Sequence, residues 1–229
     1  MNSVPYDFVN SVAHALSERS LSQLRYIETG LWGHVGSVHA DKRREFDLKI
    51  WICEEGIAAN VCEVCSFESC SIKEYKVILN PFDRLSSITI SGNVRAEMRV
   101  GPKSEVEEFM KFFQHQEIDD LYVSCIVKPH DLSALEFLWK RPTSSIRISG
   151  LSLNDKFFNF HLIENEALRE IKLIAATTEL ARKMIDSVER GLAIQYGQLS
   201  RTELLRTDTK PILYYAKTPQ SRTIVLHFS

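Results

Sequence analysis

The sequence predicts an α/β chain: three short helices at the N-terminus, then an irregular solenoid of strand–helix repeats. Three observations carry that reading. Four segments share one apolar template: Leu85-x-x-Ile88-x-Ile90, Ile118-x-x-Leu121-x-Val123, Thr143-x-x-Ile146-x-Ile148 and Leu168-x-x-Ile171-x-Leu173. Their central apolar residue recurs at 88, 121, 146 and 171, at intervals of 33, 25 and 25, a range in which self-similarity marks stacked repeats. Between the copies lie stretches with helical apolar spacing, and the first forty or so residues carry a helical stripe without the template. A strand–helix unit cannot bury its apolar face alone, so neighbours must stack into one sheet with helices outside. Such a surface suits recognition and offers no evident place for bond chemistry.

Bulk properties narrow the class. The 229 residues are 44% apolar, with 28 basic against 30 acidic side chains and a formal net charge of −2. That length buries one large domain or two small ones. The balanced charge supplies no field to attract nucleic acid or an anionic membrane. No apolar run approaches the roughly 20 residues that span a bilayer, and the opening Met1-Asn2-Ser3-Val4 lacks the basic and apolar regions of a secretory leader. Five cysteines without framework spacing suit reduced thiols. The expectation is a cytoplasmic or nuclear protein with neither nucleic acid nor membrane as partner.

The elements follow in order. Val4, Pro5, Phe8, Val9, Val12, Ala15 and Leu16 form one stripe of a first helix, with Pro5 and Asp7 suited to its first turn. Ser17-Glu18-Arg19-Ser20 breaks it, and Ser20 is read as the N-cap of a second helix with Leu21, Leu24 and Ile27 inward. Thr29-Gly30 interrupts again. A third helix is expected over 31–45, with Trp32, Val35 and Val38 inward and Lys42-Arg43-Arg44 as a solvated basic end.

These residues carry a resemblance. Val4-Pro5-x-Asp7-Phe8-x-x-x-Val12-x-x-x-Leu16, followed by Leu21-x-x-Leu24-x-x-Ile27 and Trp32, resembles an F-box. Two departures are Asp7, where the family has Glu, and one extra residue near Thr29-Gly30. The opening and the short irregular repeats are most similar to nematode-type F-box-like families. The resemblance implies an F-box-like helical domain over 1–45 and an F-box-associated α/β repeat domain over 46–229. It further implies a substrate adaptor of a Skp–cullin–F-box ubiquitin ligase, with Val4, Pro5, Phe8, Val9, Val12, Leu16, Leu21 and Leu24 supplying the Skp-facing or domain-core surface. A capping role for the same helices is the alternative.

From Phe46 the period becomes two: Phe46, Leu48, Ile50 and Ile52 alternate with Asp47, Lys49, Trp51 and Cys53, a half-buried strand. Glu54-Glu55-Gly56 signals a turn, residues 57–67 a returning strand, and residues 72–79 a further strand. This segment is read as a junction covering the first edge of the repeat sheet. Cys62-x-x-Cys65 with Cys70 is a weak metal signal, since one pair without a nearby histidine does not make a site; buried free thiols are expected instead.

Among the repeats, Ser104 with Glu107 reads as a capping box before Val106, Phe109, Met110 and Phe113. Asp131 is the expected cap of a helix with Leu132, Leu135, Phe137, Leu138 and Trp139, stopped by Arg141-Pro142. Asn154-Asp155 opens a third helix through Ile163, and Thr177 or Thr178 a fourth. The repeats resemble leucine-rich repeats loosely. Asn93 falls at that family's asparagine position, but Ile126, Leu151 and Ala176 take the equivalent places, and an insertion over 94–101 lengthens the first interval. Residues 192–196, 212–215 and 223–228 read as strands, the last closing the C-terminal edge.

Thr89, Tyr122, Arg147 and Lys172 each lie between two inward apolar positions, so period two puts them on the exposed sheet face. They are the candidate target-binding strip, beside the plain alternative of a solvated face. His14, His34, His39, His115, His130, His161 and His227 are scattered, without any HExxH, GxSxG, P-loop or GxGxxG pattern. No catalytic, metal or cofactor site is expected. The expected partners are a Skp-type adaptor and a protein target, and the alternative is a non-ligase interaction scaffold.

Overall fold

The computed structural model describes residues 4–16, 18–27, 30–53, 56–66, 68–92, 99–124, 129–149, 155–174, 201–206, 211–217 and 223–228. Pro5, extended and without a side-chain cap, precedes helix α1 (Tyr6–Ala15). Helices α2 (Glu18–Arg25) and α3 (Leu31–Lys42) follow. Ser20 lies inside α2 and does not cap it. Gly30, with φ +97°, is the N-cap of α3, a conformation that a Cβ would strain. Val9, Ala13, Leu21 and Val35 form a small apolar core, with Leu24, Leu31 and Trp32 against it. The close approach of α2 to α3 depends on two glycines. A Cβ on Gly36 would lie 2.9 Å from the Arg25 amide nitrogen, and one on Gly33 would collide with the Ile27 carbonyl. Ile27, expected inward, lies beyond the end of α2 and is exposed, because α2 stops at Arg25.

Strand β1 (Glu45–Cys53) pairs antiparallel with β2 (Gly56–Glu63), which pairs with β3 (Ser69–Ser71). Residues 72–79 are a helix where the sequence reading has a strand: α4 spans Ile72–Ile78. The reason is a capping box in which Ser71 accepts from the Glu74 amide while the Glu74 carboxylate accepts from the Ser71 amide at 2.7 Å. Two orphan amides are thereby satisfied, which outweighs the β-branched content of Ile72 and Val77. Helix α4 carries the chain to β4 (Arg84–Ser91), which lies parallel to β1. The segment read as a junction is thus itself a β–α–β unit.

The rest continues this order. β5 (Val100–Gly101) pairs with β2. Then come α5 (Lys103–Lys111), β6 (Ile118–Ser124), α6 (Pro129–Ala134), α7 (Glu136–Trp139), β7 (Thr143–Ser149), α8 (Asp155–Asn159) with a π-helical turn at Phe160–Glu164, and β8 (Glu170–Ile174). Pro102, without a side-chain cap, precedes α5, so Ser104 sits in the first turn. Asp131 likewise falls within α6 and not at its start. The expected fourth helix from Thr177 or Thr178, the strand at 192–196, and Asn93, Ile126, Leu151 and Ala176 lie outside the described residues.

Strands β9 (Arg201–Arg206), β10 (Pro211–Lys217) and β11 (Thr223–Phe228) complete the sheet. Its order is β3-β2-β1-β4-β6-β7-β8-β11-β10-β9. The six strands from β1 through β11 along that order run parallel, flanked by antiparallel pairs at both ends. β11 pairs with β8 and is covered by β10, so it is interior, and β9 forms the edge. The architecture is mixed α/β with a largely parallel sheet.

Register turns the template into ladders. Leu48, Ile88, Leu121, Ile146, Ile171 and Leu226 align across the strands. One step on, Ile50, Ile90, Val123, Ile148 and Leu173 do the same. The apolar residues of both rows through Ile171 share a single core with Val106, Phe109, Met110 and Phe113, with Leu132, Leu135, Leu138 and Trp139, and with Phe157 and Leu162. Each buried Leu or Ile contributes about 1.5–3 kcal/mol by leaving water.

The turns into the strands are fastened by side-chain amides. Gln116, before β6, accepts from the Leu85 amide at 3.0 Å and donates to the Asp83 carbonyl at 3.0 Å, gripping the start of β4. Asn165, before β8, donates to the Thr143 carbonyl at 2.9 Å and accepts from the Thr143 amide at 3.3 Å, gripping the start of β7. Arg141, read only as a helix stop, reaches back from the start of β7 to the last turn of α5. Its guanidinium donates to the carbonyls of Met110, Phe113 and Gln116.

Candidate interaction surfaces

The N-terminal stripe divides in two. Val9 is fully buried and Leu21 nearly so, both in the helices' own core, so neither is free to meet a partner. An i, i+3, i+4 pattern marks a helix face without saying which body it meets. Val12, Leu16 and Leu24 are half-buried. Val4 is 41% exposed, Phe8 55% and Pro5 is also open. Tyr6, Tyr26 and Ile27 add exposed apolar surface that the sequence reading did not include. The Phe8 ring meets Trp32 edge-on at 6.4 Å, which holds it on the outside of α1.

The other side of the helices is tied to the sheet domain. Arg43 donates to the carbonyls of Leu16 at 2.8 Å and Ala13 at 2.6 Å, closing the C-terminal end of α1. Arg44 grips Asp83 with both nitrogens, at 2.9 and 2.8 Å. Asp83, without side-chain exposure, also accepts from the Tyr75 hydroxyl at 2.7 Å and the Asn80 amide at 2.9 Å. The basic run at 42–44 is therefore a junction and not a solvated helix end. Lys42 alone lies outside these bonds, 5.3 Å over the Phe82 ring.

His39, fully buried, hydrogen-bonds Asn10 at 2.9 Å. Its ring meets His14 at 4.4 Å and Phe82 at 5.1 Å. Burial, then the neighbouring His14 and Arg43, lowers the His39 pKa to about 4. Burial and Arg43 lower that of His14. Both imidazoles are neutral at pH 7. His34, five residues from His39, is exposed on α3.

The second surface is the sheet face opposite the helices. Thr89, Tyr122, Arg147 and Lys172 stand in one cross-strand row. Lys49 extends it, because β1 pairs in register with β4. The signal for Lys49 was present: Leu48-x-Ile50 copies the last two apolar positions of the template. A parallel row, Asp47, Ser87, Asp120, Ser145 and Glu170, runs two residues before it and was missed. The rows are cross-linked. Arg147 pairs with Asp120 at 2.6 Å and Lys172 with Glu170 at 2.9 Å. The Ser87 hydroxyl donates to Asp47 at 2.6 Å. Burial holds the Asp120 carboxyl above its ordinary range, against the opposing pull of Arg147. The face is polar, balanced in charge, and shallowly hollowed around Tyr122.

Chemistry elsewhere is sparse. Cys53, Cys62, Cys65 and Cys70 are free thiols; Cys62 is buried, but Cys65 is exposed in the turn after β2. Among the described residues no three His, Cys, Asp or Glu side chains are arranged to hold a metal ion. No helix among them is long and apolar enough to cross a membrane. His161 is buried beside Trp139 and Phe157, bonded to Asn165 at 3.1 Å, and burial lowers its pKa to about 3; it is a core histidine. Compared with known proteins, the chain matches no family model, no curated protein and no solved structure.

Proposed function

We propose that the chain is a substrate-recognition adaptor of a Skp–cullin–F-box ubiquitin ligase, a non-enzymatic part acting in the cytoplasm or nucleus. Its N-terminal helices would dock on a Skp-type adaptor, and the strand–helix repeats, as an irregular leucine-rich-like solenoid, would hold a protein target. One observation carries the reading: Val4, Tyr6, Phe8, Tyr26 and Ile27 are exposed on a helical unit with its own separate core. Large apolar side chains left open to solvent are available to a partner. The row from Lys49 to Lys172 is the proposed target strip.

A second reading has its own support. Arg43 and the His14–His39–Phe82 cluster bind α1 and α3 to the sheet domain, as the cap of a repeat stack would be bound. On that reading the chain is a non-ligase scaffold. The two separate in a pull-down of the full chain by a purified Skp partner, beside a Val4→Asp/Phe8→Asp variant. The adaptor reading expects capture of the wild type and loss in the variant at unchanged circular dichroism. A folded wild type that is not captured leaves the scaffold.

A further inference from the structure

A hollow of about 520 Å³ separates α1 from the ends of α4 and α5. It opens to solvent past the exposed Ala15 and Phe112 and is of a size that takes small ligands. Its walls are largely apolar: Ala15 from α1, Leu79 and Pro81 after α4, and Phe112 and Phe113 after α5. Phe112 is 57% exposed, although apolar on a helix end beside other apolar groups.

Most polar groups in the wall are already engaged. Asp83 is matched by Arg44, Tyr75 and Asn80. The Gln116 amide is committed to Leu85 and Asp83, and the Asn80 carbonyl accepts from the Phe82 amide at 2.9 Å. An ion entering here would lose its water without gaining an unmatched counter-charge, which is costly.

The Ser11 hydroxyl donates to the Asp7 carbonyl at 2.8 Å, and His115, exposed at the rim, bonds Gln114 at 2.9 Å. His14 differs from these. Its ring faces the hollow, held stacked on Phe82 at 6.0 Å and edge-on to His39 at 4.4 Å. Burial keeps it neutral at pH 7, so it offers one ring donor and one ring acceptor. The geometry is that of an apolar slot with one oriented polar contact, the common plan of small-molecule sites.

We propose that this hollow binds a small, uncharged, ring-containing molecule whose single polar atom pairs with the His14 imidazole. The inference does not depend on the ligase reading. The probe is 2-naphthol, titrated into the full chain and followed by its fluorescence, with 2-naphthalenesulfonate as the charged isostere. Three variants accompany it: Ala15→Trp, which fills the slot from an exposed helix position; His14→Leu, which removes the polar contact; and Phe112→Ala, which removes an exposed wall and spares the core. Circular dichroism establishes that each is folded.

The expected result is saturable naphthol binding, weaker by about tenfold in Ala15→Trp and Phe112→Ala. In His14→Leu the loss is about fivefold, the worth of one hydrogen bond near 1 kcal/mol. The sulfonate should bind less well than naphthol. Absence of saturable binding to the folded wild type, equal binding by all folded variants, or tighter binding of the sulfonate would each overturn the proposal.

Discussion

Arg141→Met tests how successive strand–helix segments are fastened to one another. The Arg141 guanidinium is almost fully buried, yet among the described residues it meets main-chain carbonyls and no carboxylate. Two of its contacts, to Met110 at 3.4 Å and Gln116 at 3.5 Å, are long, and hydrogen bonds weaken steeply at such lengths. The contact to the Phe113 carbonyl is the close one. A charged donor bond contributes about 1.5–3 kcal/mol; without the guanidinium the Phe113 carbonyl still accepts from the Gln116 amide at 3.0 Å, so no orphaned carbonyl adds to the loss. Against this, burial penalises the guanidinium itself, as its lowered pKa records. Met keeps the apolar stem and sheds that penalty.

The balance is a destabilisation of about 1–2 kcal/mol. With an m-value of about 2–3 kcal/mol/M, the urea midpoint should fall by about 0.5 M. The assay is urea unfolding followed through Trp139, which is fully buried and packs on Phe157 at 5.3 Å. Arg141→Lys, with one positioned bond in place of a fork, should lose about half as much. A Met variant within about 0.5 kcal/mol of wild type would show that the guanidinium adds nothing to the turn after α5, and the reasoning would fail.

Other perturbations act on other links. Asp119→Ala removes a carboxylate that grips the buried Arg84 at 2.6 and 2.7 Å. Glu45 at 3.3 Å remains, so the loss should be about 3 kcal/mol, the low end for breaking a buried pair, read by thermal unfolding. Gly36→Ala forces a Cβ against the α2 backbone and should cost about 1–3 kcal/mol, seen as earlier unfolding at Trp32 with Trp139 unaffected.

Acid should destabilise through His39. Its native pKa of about 4 lies below the 6.5 of the unfolded chain, so the unfolded state takes up the proton first. Stability is complete above pH 6.5 and is lost as pH falls toward 4, by about 2 kcal/mol between pH 7 and 5. His39→Asn should reduce that slope in urea titrations at the two pH values, leaving the share that buried His161 contributes in the same sense. Arg147→Gln, on a half-exposed ion pair, should change stability by less than about 1 kcal/mol.

How far residues announce their structure depends on what the signal measures. The ladders were legible because burial on one face enforces period two over Ile88, Leu121, Ile146 and Ile171, and a slip by one residue would expose the whole row. Thr89, Tyr122, Arg147 and Lys172 followed from the same parity. The α4 helix was not legible from hydropathy, since Ile72, Tyr75 and Val77 suit a strand; the Ser71–Glu74 box decided it locally. The division of the N-terminal stripe into buried Val9 and exposed Phe8 was hidden as well, because apolar character does not say which body a face meets. Gln116, Asn165 and Arg141 bind main-chain groups about 22 to 33 residues away, and no local pattern marks such partners.

The position of β11 has a consequence for the order of assembly. Through β8, each parallel strand finds its predecessor already made, so on the ribosome the sheet can grow as the chain emerges, closing only modest loops. At β8 this rule ends. β9 and β10 are synthesised next, but they lie beyond β11, which of these three strands is the one that pairs with β8. They can join the sheet only after β11 has emerged and slotted in. Until then β8 is an open edge of the kind that recruits stray strands. A stalled or clipped chain ending after Lys217 would keep that edge, making the last strand the step on which escape from aggregation depends.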